Sequence, residues 1–204
     1  DFVRAFACVK QAAARANLEI GALDEQRATL IDRACEEVKS GMLLDQFVVG
    51  VVQGGAGTST NMNANEVITN RALELAGRQK GDYSFINPND HTNHSQSTND
   101  TYPTAIKIAL AFSLTSLLDE LALLADSFAA KGREFAHIIK VGRTQLQDAV
   151  PMTLGQEFNA FAVTLREDIE RLTEAVTLLL EVNMGATAIG TGINAPRGYK
   201  EAVV

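Results

Sequence analysis

The sequence predicts a mainly α-helical protein in which a small N-terminal helical domain precedes the long helices of a central bundle. Apolar residues recur at helical spacing through most of the 204 residues. Two segments in the second half keep that spacing for about 30 residues each, which is longer than a compact domain of this size requires. We therefore expect an N-terminal domain at 1–97 and, at 98–204, the first and incomplete part of a bundle domain.

The N-terminal domain is predicted to contain three helices. Glycines end them, because glycine adopts the left-handed conformation that commonly follows a helix; these glycines are Gly21, Gly41 and Gly77. The third helix should run roughly from Asn61 to Leu75. The β-branched run Phe47–Val52 fits either a strand or extended chain packed on a helix. A polar, turn-rich loop follows from about Arg78 to Ser97.

Two long helices are predicted for the second half of the chain. The first begins near Thr98 and is apolar on nearly all sides, which is typical of a buried helix. Pro103 should lie in its first turn, with Ser97, Thr98 or Asn99 as the N-cap. The second is expected to begin at Pro151 and to carry an apolar stripe from Leu154 to Leu179. The apolar surface of both helices is expected to meet other subunits.

Charge and composition exclude several partners. The chain has 18 Lys and Arg against 25 Asp and Glu, a formal net charge of −7, and no dense basic run to bind a nucleic acid. Lys107, Asp119 and Glu120 interrupt the apolar stretch 105–125, so a membrane span is not expected. Because the sequence opens at Asp1 with no charged-then-apolar stretch, a secretory signal is not expected. Two cysteines without CxxC spacing, Cys8 and Cys35, favour a reducing cytoplasm.

Three predicted loop-to-helix junctions concentrate hydroxyl and amide side chains, at 54–66, 87–100 and 142–151. Hydroxyls and free N–H groups at helix N-termini bind anions, so a small carboxylate is a reasonable ligand for the set. For each junction taken alone, plain N-capping explains the same residues. Arg143 could neutralise a carboxylate or form an ion pair with Asp148 or Glu157, and the sequence leaves these alternatives open.

Other familiar sites are not indicated. The glycine-rich segment at 54–57 lacks the Gly-Lys-Ser/Thr ending of a phosphate-binding loop. The segment GATAIGTGIN at 185–194 follows a helix and lacks the spacing of a dinucleotide-binding loop. The three histidines, His91, His94 and His137, are too few and too irregularly spaced for a zinc or serine-hydrolase site. No metal site is therefore predicted.

Four segments in order, GGAGTSTNMNANE, NPNDHTNHSQSTND, GRTQLQDAVPMTLGQEF and GATAIGTGIN, resemble the aspartase/fumarase superfamily over essentially the whole chain. Within it the aspartate ammonia-lyases are the most similar branch. Class II fumarases carry a GSGTQSNMN-like first segment and a His after GRT, where this chain has GGAGTSTNMN and Gln145. The alternatives are a class II fumarate hydratase and a non-catalytic helical assembly module.

The resemblance implies a homotetramer in the cytoplasm, with active sites composed of segments from three subunits and with no cofactor. The implied reaction is an anti elimination of ammonia from L-aspartate through an enediolate, giving fumarate. Thr58, Ser97 and Thr98 would hold the carboxylate next to the carbon that loses its proton. Asn99 would contact the amino group, and Thr144, with Gln145 beside it, would bind the other carboxylate.

The superfamily's catalytic base is a serine on a loop of the GSSxMPxKxN type, and these 204 residues contain no such motif. The catalytic residue is therefore expected outside this chain. We expect the chain to resemble an N-terminal and central fragment that is inactive by itself.

Overall fold

The computed structural model describes residues 1–50, 52–53, 55 and 57–204, and it confirms the mainly helical fold. The helices are α1 (Phe2–Glu19), α2 (Glu25–Lys39), α3 (Thr58–Leu75), α4 (Thr98–Glu134), α5 (Leu154–Leu179) and α6 (Tyr199–Val203). A 3₁₀ turn lies at Leu44–Gln46 and a π-helical turn at Pro88–Thr92. An antiparallel hairpin, β1 (Ile139–Thr144) and β2 (Gln147–Thr153), lies between α4 and α5.

The structure differs from the sequence predictions at the start of α3 and answers the open question about the segment before it. α3 begins at Thr58, one turn earlier than expected, while the predicted helix ends before Gly21, Gly41 and Gly77 are confirmed. The described residues of Phe47–Val52 form no strand, and Val51 lies outside the described residues.

Contacts within the described residues divide the chain into two compact units. The first unit comprises Asp1–Leu110 and Glu181–Val204, and the second comprises Ala111–Leu180. The expected domain boundary between residues 97 and 98 stays a prediction.

The first unit is built on two apolar clusters. One joins α1, α2 and α3 around fully buried residues such as Ile31, Ile68 and Leu73. The other joins α1 and α3 to the start of α4 and to the C-terminal segment, around Phe6 and Tyr199. Burial of such side chains contributes about 1.5 to 3 kcal/mol each. This second cluster brings the N-termini of α3 and α4 close together.

The second unit contains the rest of α4, the hairpin and α5. Phe128, Phe158 and Phe161 form a ring cluster, with centroids 5.5 to 6.1 Å apart, that joins α4 to α5. The prediction that Pro151 begins α5 is wrong, because Pro151 lies in β2 opposite Val141. A capping box formed by Thr153 and Gln156 starts the helix instead.

α4 is less buried than the sequence predicted. It is long and apolar enough to cross a membrane by length and composition, yet only 6% of its most apolar window is buried inside this chain. Leu110, Leu117 and Leu123 are 48%, 47% and 62% exposed. The expectation of a buried helix therefore fails within this chain, because the described residues place too few apolar neighbours around α4.

Candidate functional site

A reciprocal capping box starts α4. Ser97 is the N-cap residue: its Oγ accepts a hydrogen bond from the N–H of Asn99 at 3.2 Å. Oδ1 of Asp100 accepts the N–H of Ser97 at 2.9 Å. Two N–H groups at the helix start are thereby satisfied by side chains of the helix's own first turn. Of the three N-cap candidates, the structure selects Ser97.

The segment 185–194 is tied to this helix start. Oδ2 of Asp100 accepts the N–H of Thr187 at 3.0 Å, and Asn99 Nδ2 donates to the carbonyl of Ala188 at 2.7 Å. Thr187 is held at φ +59°, a left-handed conformation that is strained for a β-branched residue. Asp100 therefore holds both the N-terminus of α4 and the segment 185–194 in place.

Pro103 lies inside α4, one turn beyond its predicted place in the first turn. Because proline has no N–H, the carbonyl of Asn99, four residues earlier, lacks its helical donor. Asn183 supplies one, since its Nδ2 donates to Asn99 O at 3.0 Å. The proline thus creates an attachment point for the segment that precedes 185–194.

The hydroxyl of Thr98 accepts a hydrogen bond from a buried amide side chain of α3. Asn61 Nδ2 donates to Thr98 Oγ1 at 3.0 Å, and Asn61 is 1% exposed. The hydroxyl of Thr98 thus acts as an acceptor toward the protein, and its own proton is available to another acceptor. Thr98 itself is half-buried, and Ser97 beside it is also half-buried.

Beneath Asn61 lies Lys10 of α1, a lysine with no exposed surface. Its Nζ donates to three amide oxygens, those of Asn61 at 2.7 Å, Gln96 at 2.9 Å and Asn93 at 3.0 Å. Burial lowers the pKa of Lys10 to about 7, while the Cys35 thiol and the Asp100 carboxylate act in the opposite direction.

Thr58 is the first residue of α3 and is exposed. The residue before it, Gly57, caps the helix at φ +84° and lies against the ring of Tyr102 of α4. A Cβ at Gly57 would overlap that ring, so glycine allows the close approach of the two helix starts. Gly54 and Ala56 of the same motif lie outside the described residues.

Thr144 lies in the second unit, at the end of β1, and is exposed. It pairs with Gln147 across a two-residue turn in which Gln145 and Leu146 both have positive φ. Of the alternatives for Arg143, the structure shows the ion pair with Asp148, at 3.1 Å.

The other predicted partner of Arg143, Glu157, pairs with Lys140 at 2.7 Å. Both side chains of the Arg143–Asp148 pair are more than 70% exposed, so the pair contributes little stability.

The structure thus gathers Ser97, Thr98 and Asn99 at one helix start, next to the α3 start that carries Thr58. Sequence reasoning missed the residues that hold them, which are Lys10, Asn61, Asn93, Gln96 and Asp100. A signal was available for Asp100, because Ser-x-x-Asp matches the reciprocal cap. Lys10 lies on the apolar side of α1 with Phe6 and Val9, which is an unusual place for a charge.

The histidines of the preceding loop have local structural contacts. His91 Nδ1 accepts the N–H of Asn87 at 2.8 Å, and His94 Nδ1 bonds the carbonyl of Asp90 at 2.9 Å. Burial lowers the pKa of His91. Among the described residues, no group of three or more His, Cys, Asp or Glu side chains is arranged to hold a metal ion.

The sequence pattern of a lyase family matches residues 2–204, and the chain therefore belongs to that family. An aspartate ammonia-lyase of Pseudomonas canavaninivorans is 59% identical over 199 residues, which cover 97% of this chain and 42% of the relative. These matches confirm the resemblance to the aspartase/fumarase superfamily. The chain spans less than half the length of the curated relatives it matches.

Solved structures agree with this assignment. The fumarate lyase:delta crystallin of Brucella melitensis superposes with a TM-score of 0.93 and 59% identity, covering 99% of this chain and 44% of its own. A class II fumarase from Schistosoma mansoni superposes with a TM-score of 0.85 at 36% identity, covering 99% of this chain and 42% of its own.

Proposed function

We propose that the protein to which this chain belongs eliminates ammonia from L-aspartate to give fumarate. Identity supports the assignment: the chain is 59% identical to an aspartate ammonia-lyase and 36% identical to a class II fumarase. The observation that carries the proposal is the start of α4, where Ser97 and Thr98 present two hydroxyls at a helix N-terminus and Asn61 orients the second.

These groups suit the difficult step of the reaction, in which Cβ of aspartate loses a weakly acidic proton. As this proton leaves, the electron pair of the C–H bond moves into the adjacent carboxylate, which becomes an enediolate dianion. Thr58, Ser97 and Thr98 would donate hydrogen bonds to it from the starts of α3 and α4, where the helix dipoles also favour negative charge. Hydroxyls stabilise this charge without adding a group that titrates near neutral pH.

Two further residues are assigned to the amino group and to the second carboxylate of the substrate. Asn99 Nδ2 is engaged by Ala188, which leaves Asn99 Oδ1 as an acceptor for the substrate amino group. Thr144 would bind the second carboxylate. We infer that it does so within a homotetramer of composite active sites, in which the exposed apolar face of α4 is covered by other subunits. The base serine would lie outside these 204 residues, and no cofactor would be needed.

The test of the proposed activity follows fumarate formation by ultraviolet absorbance. The complete gene product should form fumarate from L-aspartate and much more slowly from L-malate, whereas the 204-residue chain should form none from either. Malate turnover above aspartate turnover would make the protein a fumarate hydratase, the alternative that Gln145 argues against. Inactivity of the complete protein with both substrates would favour an assembly module.

The test of the site compares two threonines of α4. Thr98→Val should lower kcat by about 10² to 10³, as the loss of a single oxyanion donor does. Thr104→Val is the matched control, because Thr104 lies six residues further along the same helix. It removes a buried hydroxyl that donates to the carbonyl of Asp100 at 2.7 Å. Equal effects of the two substitutions on kcat would contradict the role proposed for Thr98.

A further inference from the structure

Lys10 is the only described lysine with no exposed surface, and its ammonium group is fully satisfied. An ammonium has three N–H donors, and each finds a separate amide oxygen at 2.7 to 3.0 Å. These oxygens come from α3 and from the loop before α4. No carboxylate pairs with Lys10 by hydrogen bond among the described residues, so amide dipoles alone surround the charge directly.

The ammonium decides which way the amides face. An amide whose oxygen accepts from Lys10 must point its NH2 group elsewhere. The Nδ2 of Asn61 accordingly points to Thr98 Oγ1 at 3.0 Å and to Asn93 Oδ1 at 3.2 Å. Asn93 Oδ1 also accepts from Asn65 Nδ2 at 3.1 Å. Thr101 Oγ1 also donates to Asn61 Oδ1, at 3.3 Å, and favours the same orientation. Lys10 makes the shorter bond to this oxygen, at 2.7 Å, and carries the charge, so its removal would take away the strongest constraint against a reversed Asn61.

The orientation of Asn61 in turn decides what the Thr98 hydroxyl can do. A hydroxyl has one proton, and one that accepts from Asn61 Nδ2 keeps that proton for a different partner. With Asn61 reversed, its oxygen would face Thr98 Oγ1 and would take the proton. The direction of donation therefore runs from Lys10 through Asn61 to Thr98, and from Thr98 outward.

We propose that Lys10 is a positioning residue of the active site, which acts through Asn61 to keep the hydroxyl of Thr98 as a donor toward the substrate carboxylate. This inference rests on the proposed function. Lys10 does not touch the substrate in this scheme. Burying the charge of Lys10 is unfavourable by itself. In return, the direction of the Thr98 hydrogen bond is set before the substrate binds.

The first experiment substitutes Lys10 in the complete gene product. Lys10→Met keeps the length and apolar stem but removes the three donors, and it should lower kcat for L-aspartate by about 10²-fold, in the range of a lost oxyanion donor. KM should change by less than about 3-fold, because the hydroxyl matters most when charge develops. Lys39→Met is the matched control: Lys39 bonds Gln11 and Glu36 at 2.8 and 2.9 Å, and kcat should not change.

A double-mutant cycle separates positioning from a structural role. If Lys10 acts through Thr98, Lys10→Met should cost little further kcat in the Thr98→Val background. Losses that multiply in full would show that the two residues act independently, which would overturn the inference.

A second variant keeps the test independent of how well Lys10→Met folds. Asn61→Asp retains an oxygen for Lys10 but replaces the NH2 donor with an acceptor, which would attract the proton of Thr98. It should lower kcat about as much as Thr98→Val does. Unchanged kcat in Asn61→Asp, or in a folded Lys10→Met, would overturn the inference while leaving the proposed function intact. A wild-type protein inactive on L-aspartate would overturn both.

Discussion

The backbone N–H of Thr187 donates a 3.0 Å hydrogen bond to the carboxylate of Asp100, across 87 residues of sequence. The same carboxylate caps α4 through the N–H of Ser97. Burial raises the pKa of Asp100, and these backbone donors together with the charge of Lys10 oppose the rise. The buried side chain of Asp100 thus holds the start of α4 and the segment 185–194 next to each other.

Replacing Asp100 tests this link. In Asp100→Asn one of the two oxygens becomes an NH2 group that faces a backbone N–H, so a buried donor loses its acceptor. The free energy of unfolding, measured by urea denaturation, should fall by about 2 to 3 kcal/mol. Asp126→Asn serves as control, since its carboxylate is 75% exposed in its ion pair with Arg166 and should change stability by less than about 0.5 kcal/mol.

Helices were the most predictable part of the fold. The ends of α1, α2 and α3 follow from apolar spacing and from glycines, both of which are local signals. The hairpin was not predicted, because Gln145-Leu146 is an unusual dipeptide for a tight turn and Pro151 resembles a helix start. Thr153 and Gln156, three residues apart, were the local signal for the true start of α5.

The candidate site was predictable only in its outer layer. The hydroxyl and amide residues at 97–99 lie in a polar motif before a helix, so sequence alone could single them out. The residues beneath them depend on contacts between distant segments: Lys10 bonds Asn61, Asn93 and Gln96 across 51, 83 and 86 residues. No spacing rule connects positions so far apart.

The glycine before Thr58 offers a comparison within one motif. Gly57→Ala should lower the free energy of unfolding by about 2 to 4 kcal/mol, because its Cβ would overlap Tyr102 at a positive φ. Gly55→Ala has a similar φ of +73° but open space around the added Cβ, so it should cost only about 1 kcal/mol. Chemical denaturation of both variants gives the difference, and equal losses would show that contact with Tyr102 is unimportant.

An ion pair between α2 and α3 should make stability depend on pH. Arg71 donates to both carboxylate oxygens of Glu37 and lowers the pKa of that carboxyl, against the opposing effect of burial. Between the folded and unfolded pKa values the unfolded state binds more protons, so stability falls as pH falls. Glu37→Gln should cost about 1 to 2 kcal/mol at pH 7.

That loss should disappear on acidification. Wild type and Glu37→Gln should approach equal stability as pH drops below the ordinary glutamate pKa of 4.5 and through the lower folded value. Urea denaturation at pH 7, 5 and 3.5 measures the trend. A difference that is constant over this range would mean that Glu37 contributes through packing and not through its charge.

The turn beside Thr144 carries strain that a single substitution should release. Leu146 is fully exposed and has φ +62°, in a turn of the type that favours Asn-Gly. A non-glycine residue in this conformation costs about 1 to 2 kcal/mol, part of which glycine returns as entropy of the unfolded chain. Leu146→Gly should therefore raise the free energy of unfolding by about 0.5 to 1 kcal/mol, whereas Leu146→Ala, which keeps a Cβ, should not. If both variants shift the urea midpoint equally, the gain comes from removing an exposed apolar side chain and the backbone of the hairpin is not strained.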